Sequence, residues 1–205
     1  MIKMKIISQT NINDASKILR SGGIIAFPTE TVFGLGVIYD NEKSYRRLIS
    51  VKKRPPEKPF TLMCANPEDI YRFAEVGERA DKLIKTFVPG ELTIILKAKR
   101  NLPKWVVSQE GNVGIRVPNL TYVRELINDV GAPLLVPSAN KSGESPYTNS
   151  NDVYWGFTGE IDAVVEGNSQ SNIPSTIVIV GEDVKIIREG SITKEMINKV
   201  LEEAK

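Results

Sequence analysis

Histidine is absent from this 205-residue chain. Its absence excludes a Ser-His-Asp triad, a Cys-His pair and any imidazole-held metal. The single cysteine, Cys64, cannot close a disulfide within the chain. In Thr61-Leu62-Met63-Cys64 it reads as a buried core thiol with no base to activate it. No apolar run is long enough for a signal peptide or a membrane span, so the reading is a cytoplasmic protein with no membrane partner. Net charge is only +2, too little to argue nucleic-acid binding from bulk electrostatics. Neither nucleotide-binding glycine motif occurs, since Gly34-Leu35-Gly36 lacks its third glycine and no Gly-Lys-Ser/Thr follows a glycine loop. Chemistry must therefore run on Lys, Arg, Ser, Thr, Asn, Asp and Glu. That inventory suits phosphoryl or nucleotidyl transfer, where positioning and charge neutralisation carry most of the rate.

What is present is an interleaved series of strands and helices. Strands are predicted at 4–8, 24–27, 60–64, 92–96, 113–117, 134–136, 162–165, 176–180 and 184–187. Helices are predicted at 13–21, from Asn41 to a stop at Pro55-Pro56, from Asn66-Pro67-Glu68-Asp69, at 78–88, at 119–130, and from Thr193. No repeat or low-complexity linker interrupts the series. The expectation is α/β: one domain over residues 1–205, a twisted mixed sheet flanked by helices.

Three features concentrate the chemistry. The apolar run Ile24-Ile25-Ala26-Phe27 leads into Pro28-Thr29-Glu30-Thr31-Val32-Phe33-Gly34-Leu35-Gly36, a loop with two hydroxyls and a carboxylate, whose glycines would let backbone approach a ligand. The basic run Arg46, Arg47, Lys52, Lys53, Arg54, Lys58 is either a solvated helix face or, through Lys52 and Arg54 at the helix end, a source of cations for a pocket. Ser138-Ala139-Asn140-Lys141-Ser142-Gly143 follows a strand as a second polar loop, better explained as an anion cradle than as the Ser-x-x-Lys of an acyl enzyme, whose companion motifs are absent. Arg116, inside an apolar strand, needs a buried partner, an anionic ligand or an edge position. Arg188 poses the same choice, and Ser175-Thr176 either starts a strand or adds donors to the same rim. Together these groups predict a site for a phosphorylated anion.

Taken in order, these segments resemble the YrdC family, the threonylcarbamoyl-AMP synthases of tRNA modification. The resemblance rests on Phe27 to Gly36, Lys52-x-Arg54-Pro55 with Lys58-Pro59, Pro89-Gly90 with Leu92-Thr93, and Gly114-x-Arg116-Val117-Pro118. It continues through Ser138-Ala139-Asn140-x-Ser142-Gly143, Pro174-Ser175-Thr176 and Ile187-Arg188-x-Gly190. Phe33, Phe60, Glu91 and Pro137 depart from the family's usual tyrosine, leucine, proline and threonine. The stretch from Phe60 to Cys64 is similar to the YciO-type branch, yet this chain keeps both Lys-x-Arg and Ser-x-Asn.

The resemblance implies that L-threonine, bicarbonate and ATP, with Mg²⁺, give threonylcarbamoyl-AMP and pyrophosphate, and that tRNA is reached through downstream transferase proteins. It implies Lys52 and Arg54 as catalytic cations on the triphosphate or the threonine carboxylate. Ser138, Asn140 and Arg188 would serve the nucleotide, and Thr29, Thr31, Arg116 and Ser175 the amino-acid side. No residue is assigned as ligand of a resident metal. Two other readings remain: a non-catalytic RNA-binding module using the same basic surface, and carbamoyl-adenylate chemistry as in hydrogenase-maturation proteins.

Overall fold

The computed structural model describes residues 4–54, 59–100 and 102–202, so the expected stop at Pro55-Pro56, and Lys58 with it, lies outside the described residues. The elements in chain order are β1 (Lys5–Ile7), α1 (Ile12–Arg20), β2 (Ile25–Phe27), β3 (Gly34–Ile38), α2 (Glu42–Lys52), β4 (Leu62–Met63), α3 (Glu68–Phe73), α4 (Glu78–Phe87) and β5 (Leu92–Lys97). They continue with β6 (Asn112–Arg116), α5 (Thr121–Val130), β7 (Leu134–Leu135), α6 (Ser150–Phe157), β8 (Ala163–Val165), β9 (Thr176–Val180), β10 (Val184–Arg188) and α7 (Lys194–Glu202). The strands form one ten-stranded mixed sheet in the order β1-β8-β2-β3-β7-β4-β6-β5-β9-β10. The α/β expectation with a mixed sheet therefore holds.

Period-two patterning decides what each face of the sheet does. Leu92, Ile94 and Leu96 of β5, Val113 and Ile115 of β6, and Val178 and Val180 of β9 join one hydrophobic core, with Leu48 of α2, Ile70 of α3, Leu83 of α4 and Ile197 of α7. On the other face, α1 and α5 cover Ile7, Ile25, Phe27, Leu134 and Val165 in a second core. The alternate residues of β5, β6 and β9, namely Thr93, Ile95, Asn112, Gly114, Arg116, Ile177 and Ile179, line a cavity instead. Among the described residues no residue of an α-helix lines it.

Two expectations are corrected. The loop after β2 does not run to Gly36, because Gly34–Ile38 turns back as β3, antiparallel to β2 with Phe27 opposite Gly34. Its glycines are required mainly by packing: a Cβ on Gly34 would stand 2.5 Å from Val136 Cγ1, and one on Gly36 would stand 2.6 Å from Phe27 Cε1. Gly34 also lines the cavity. The helix α6 had no counterpart in the sequence reading; Asn149 starts it by accepting from the Asp152 N–H at 2.9 Å. The crowding at Gly36 gives a first prediction. Gly36→Ala should destabilise the fold by about 1–3 kcal/mol through overpacking, visible as a lower midpoint in thermal unfolding. An unchanged midpoint would refute this reading of the glycine.

Candidate functional site

Two backbone contacts bring the polar loops together. Gly34 and Ser138 form an isolated antiparallel bridge. Leu35 N–H donates to Pro137 O at 2.9 Å, and Ala139 N–H to Phe33 O at 2.7 Å. The Thr29–Thr31 turn is thereby set beside Ser138, although Thr31 and Ser138 are 107 positions apart in the sequence. Within that turn the two hydroxyls are 2.9 Å apart, and Thr29 Oγ1 donates to Val32 O at 2.8 Å.

The end of α2 supplies the cations. Asn41 caps the helix by accepting from Ser44 N–H at 3.0 Å. The helix stops where Lys53 adopts φ +49°, and the chain turns Lys52 and Arg54 inward. Arg46 and Arg47 of the basic run do not reach the cavity. Arg46 pairs with Glu42 in the open, and Arg47 pairs with Asp162 on another part of the surface.

Lys52 is almost wholly buried. Its ammonium donates to Ser138 O at 2.6 Å, Asn140 O at 2.6 Å and Asn140 Oδ1 at 2.8 Å. Three donors meet three acceptors, which satisfies the protonated form. Burial, followed by repulsion from Arg54 and Lys141, nevertheless pulls its pKa down to about 7. Asn140 is equally committed: Oδ1 also accepts from Ser138 Oγ at 2.6 Å, and Nδ2 donates to Lys141 O and Glu144 O. Neither Lys52 nor Asn140 lines the cavity; together they brace the loop that puts Ser138 on its wall. Lys141 is drawn away, to Val51 O and Glu160, so the Ser-x-x-Lys spacing brings no lysine of that motif to the serine.

The cavity, about 450 Å³, gathers the other expected residues: Thr29, Thr31, Arg54, Arg116, Ser138, Ser175 and Arg188. Arg54 donates to Pro59 O at 3.4 Å, with its guanidinium 5.2 Å from the Phe60 ring centroid, and burial lowers its proton affinity. Toward the β9–β10 edge of the sheet Arg188 clasps Ser175, donating from Nε and Nη2 to Ser175 O at 3.0 and 2.7 Å. Burial, and then the charge on Arg116, lower the proton affinity of Arg188. The Ser175 hydroxyl lies 2.9 Å from that of Thr93. Arg116 sits on an interior strand, which removes the edge alternative. Its Nη1 donates to Thr31 Oγ1 at 3.0 Å, its Nε to Gly90 O at 3.3 Å, and its Nη2 lies 2.9 Å from Glu30 Oε1.

Sequence reasoning gave Glu30 and Thr93 no role. Both were discoverable: Thr93 shares the period-two face of Ile95, and a buried arginine demands a carboxylate such as the one between Thr29 and Thr31. Cys64 is a core thiol as expected, and burial pushes its pKa far up.

The cavity gathers hydroxyls and guanidiniums against one face of the mixed sheet of an α/β domain. The chain belongs to the Sua5/YciO/YrdC family, described as "Telomere recombination", whose profile matches residues 17–190. It is 34% identical to the threonylcarbamoyl-AMP synthase of Bacillus subtilis, over 93% of this chain and 56% of that protein. It is 32% identical to that of Pyrococcus abyssi, over 96% of this chain and 59% of that protein. The P. abyssi Sua5 structure complexed with L-threonine superposes with a TM-score of 0.90 at 30% identity, covering 97% of this chain and 60% of that one. E. coli YciO superposes with a TM-score of 0.85 at 26% identity, covering 93% of this chain and 97% of that one. The chain thus spans somewhat over half the length of the synthases it matches, and nearly the whole of YciO.

Proposed function

We propose that the chain is an L-threonylcarbamoyladenylate synthase, acting in the cytoplasm as a single YrdC-like domain. It joins L-threonine, bicarbonate and ATP, and releases pyrophosphate and water, as the first step of N6-threonylcarbamoyladenosine modification of tRNA. The observation that carries this reading is the convergence of Thr29, Thr31, Arg54, Arg116, Ser138, Ser175 and Arg188 on one cavity. They do so in the fold of a Sua5 protein crystallised with L-threonine. The RNA-binding alternative is not favoured, since two curated relatives at 32% and 34% identity are named as synthases.

The residue chemistry suits the reaction. An N-carboxythreonine is already an anion, so its oxygen attacks the α-phosphorus without a general base, which explains how a site without histidine can serve. The α-phosphorus–oxygen bond to pyrophosphate breaks as the new bond forms, and the developing charge falls on the leaving group. Arg54 faces that charge, the Ser138 hydroxyl turns its proton from Asn140 Oδ1 to a phosphate oxygen as the nucleotide binds, and Lys52 adds its charge from behind the loop. Thr29, Thr31, Ser175 and Arg116 orient the carboxylate and carbamate, and Arg188, clasped to Ser175, closes that side over the nucleoside rather than over its polyphosphate. Alignment of this kind supplies about 7–11 kcal/mol in well-oriented systems.

Among the described residues no group of three or more Asp, Glu or Cys side chains could hold a metal. This donor set suits Mg²⁺ that arrives on the phosphates of ATP, the usual manner of a cation that keeps much of its water. The test is mass spectrometry of the product formed from ATP, threonine and bicarbonate. A threonylcarbamoyl adenylate that requires all three is the expected result, and its absence overturns the proposal.

A further inference from the structure

Glu30 is buried, yet it lies behind the cavity wall rather than on it. Its Oε1 accepts from the Asn119 N–H at 2.9 Å and lies 2.9 Å from Arg116 Nη2. Among the described residues its Oε2 has no hydrogen-bond partner. A carboxylate retained for folding alone would have both oxygens supplied with donors, because an unpaired buried acceptor is costly. What Glu30 does supply is a negative charge beside one guanidinium of a pair. Arg116 and Arg188 are close enough that the charge on one depresses the proton affinity of the other. Without Glu30 that end of the cavity would be a dication flanked by hydroxyls, and polyphosphate would be held there strongly.

We propose that Glu30 is a specificity-determining residue: by pairing with Arg116 it keeps the side of the cavity where Arg116, Ser175 and Arg188 lie from capturing phosphate. Pyrophosphate and triphosphate are thereby left to the Arg54–Ser138 end. The same ion pair aims Arg116 Nη1 at Thr31 Oγ1, so one carboxylate both orients the arginine and limits its reach. Glu91, where the family usually has proline, adds to the negative field at this end. Burial, and then the charge of Glu30, raise its pKa, while Arg116 lowers it. This inference rests on the synthase reading for its biological meaning, but its test does not need turnover.

The experiment is calorimetric titration of inorganic pyrophosphate into wild type, Glu30→Gln, Arg116→Gln and the double variant, without threonine. Glu30→Gln should bind pyrophosphate about tenfold more tightly, and Arg116→Gln about tenfold more weakly, as one unit of local charge is gained or lost. The double variant, again neutral at the pair, should return to near the wild-type affinity. A purely structural Glu30 would give weaker binding in Glu30→Gln and no recovery in the double variant, and either result overturns the proposal. If Glu30→Gln fails to fold, Arg116→Gln and the double variant decide, because the latter buries no lone charge. Failure of the product assay with these affinities intact would sink the synthase reading alone.

Discussion

Replacing Arg54 by alanine is expected to lower threonine- and bicarbonate-dependent pyrophosphate release by about 100- to 1000-fold, equivalent to about 3–4 kcal/mol of lost transition-state stabilisation. Arg54 follows the left-handed residue that ends α2 and lines the cavity beside Ser138, where pyrophosphate would depart. Its guanidinium offers paired donors to phosphate oxygens. Arg54→Lys, which keeps the charge and loses the fork, should recover only part of the rate. The fold should survive, since Arg54 belongs to no helix or strand. Steady-state pyrophosphate release, with far-ultraviolet circular dichroism as a control, checks this. Near-wild-type rates in Arg54→Ala would remove Arg54 from the chemistry.

The second large effect concerns Lys52. Lys52→Met removes the donor shared by Ser138 O, Asn140 O and Asn140 Oδ1 beneath the loop. Buried acceptors left without donors cost about 1–3 kcal/mol each, so a loss of at least about 2–3 kcal/mol is expected. For a chain of this size that is a fall of about 4–12 °C in Tm. Activity should fall as well, through a mispositioned Ser138.

The same lysine sets a pH dependence. In the folded protein its pKa lies near 7, against 10.5 ordinarily. Between those values the unfolded chain binds the extra proton, so Lys52's contribution to stability rises with pH across that window. The clamp changes in the opposite sense, because a neutral amine has only two N–H donors for three acceptors. Activity should therefore decline above about pH 7 while the unfolding midpoint does not. Lys52→Arg, if the guanidinium is accommodated, should displace the decline to higher pH. A flat rate profile from pH 6.5 to 9 in wild type would show that the clamp does not titrate there, where about 7 is the expected pKa.

Most strands and helices were legible because their causes are local. Asn41 and Asn149 cap helices through their own side chains, and Leu92-Thr93-Ile94-Ile95-Leu96 alternates so that its two faces can be read directly. Strand β3 was missed because Gly34-Leu35-Gly36 carries low strand propensity, and only pairing with β2 and β7 makes it a strand. Of the nine residues singled out for the site, Lys52 and Asn140 stand behind the wall rather than on it. Residue type reveals that a cation is present but not whether it faces a ligand or three carbonyl and amide oxygens.

By itself the sequence determined the chemical repertoire and the local elements. It excluded histidine chemistry, and the order of its polar loops already implied an anion site, because composition and short-range patterning are properties of the chain. Only the tertiary structure decided that Glu30 faces Arg116, that Arg188 clasps Ser175, and that Lys52 braces Ser138. Those pairings join residues distant in sequence, and their geometry follows from sheet register and strand order, which no local propensity encodes.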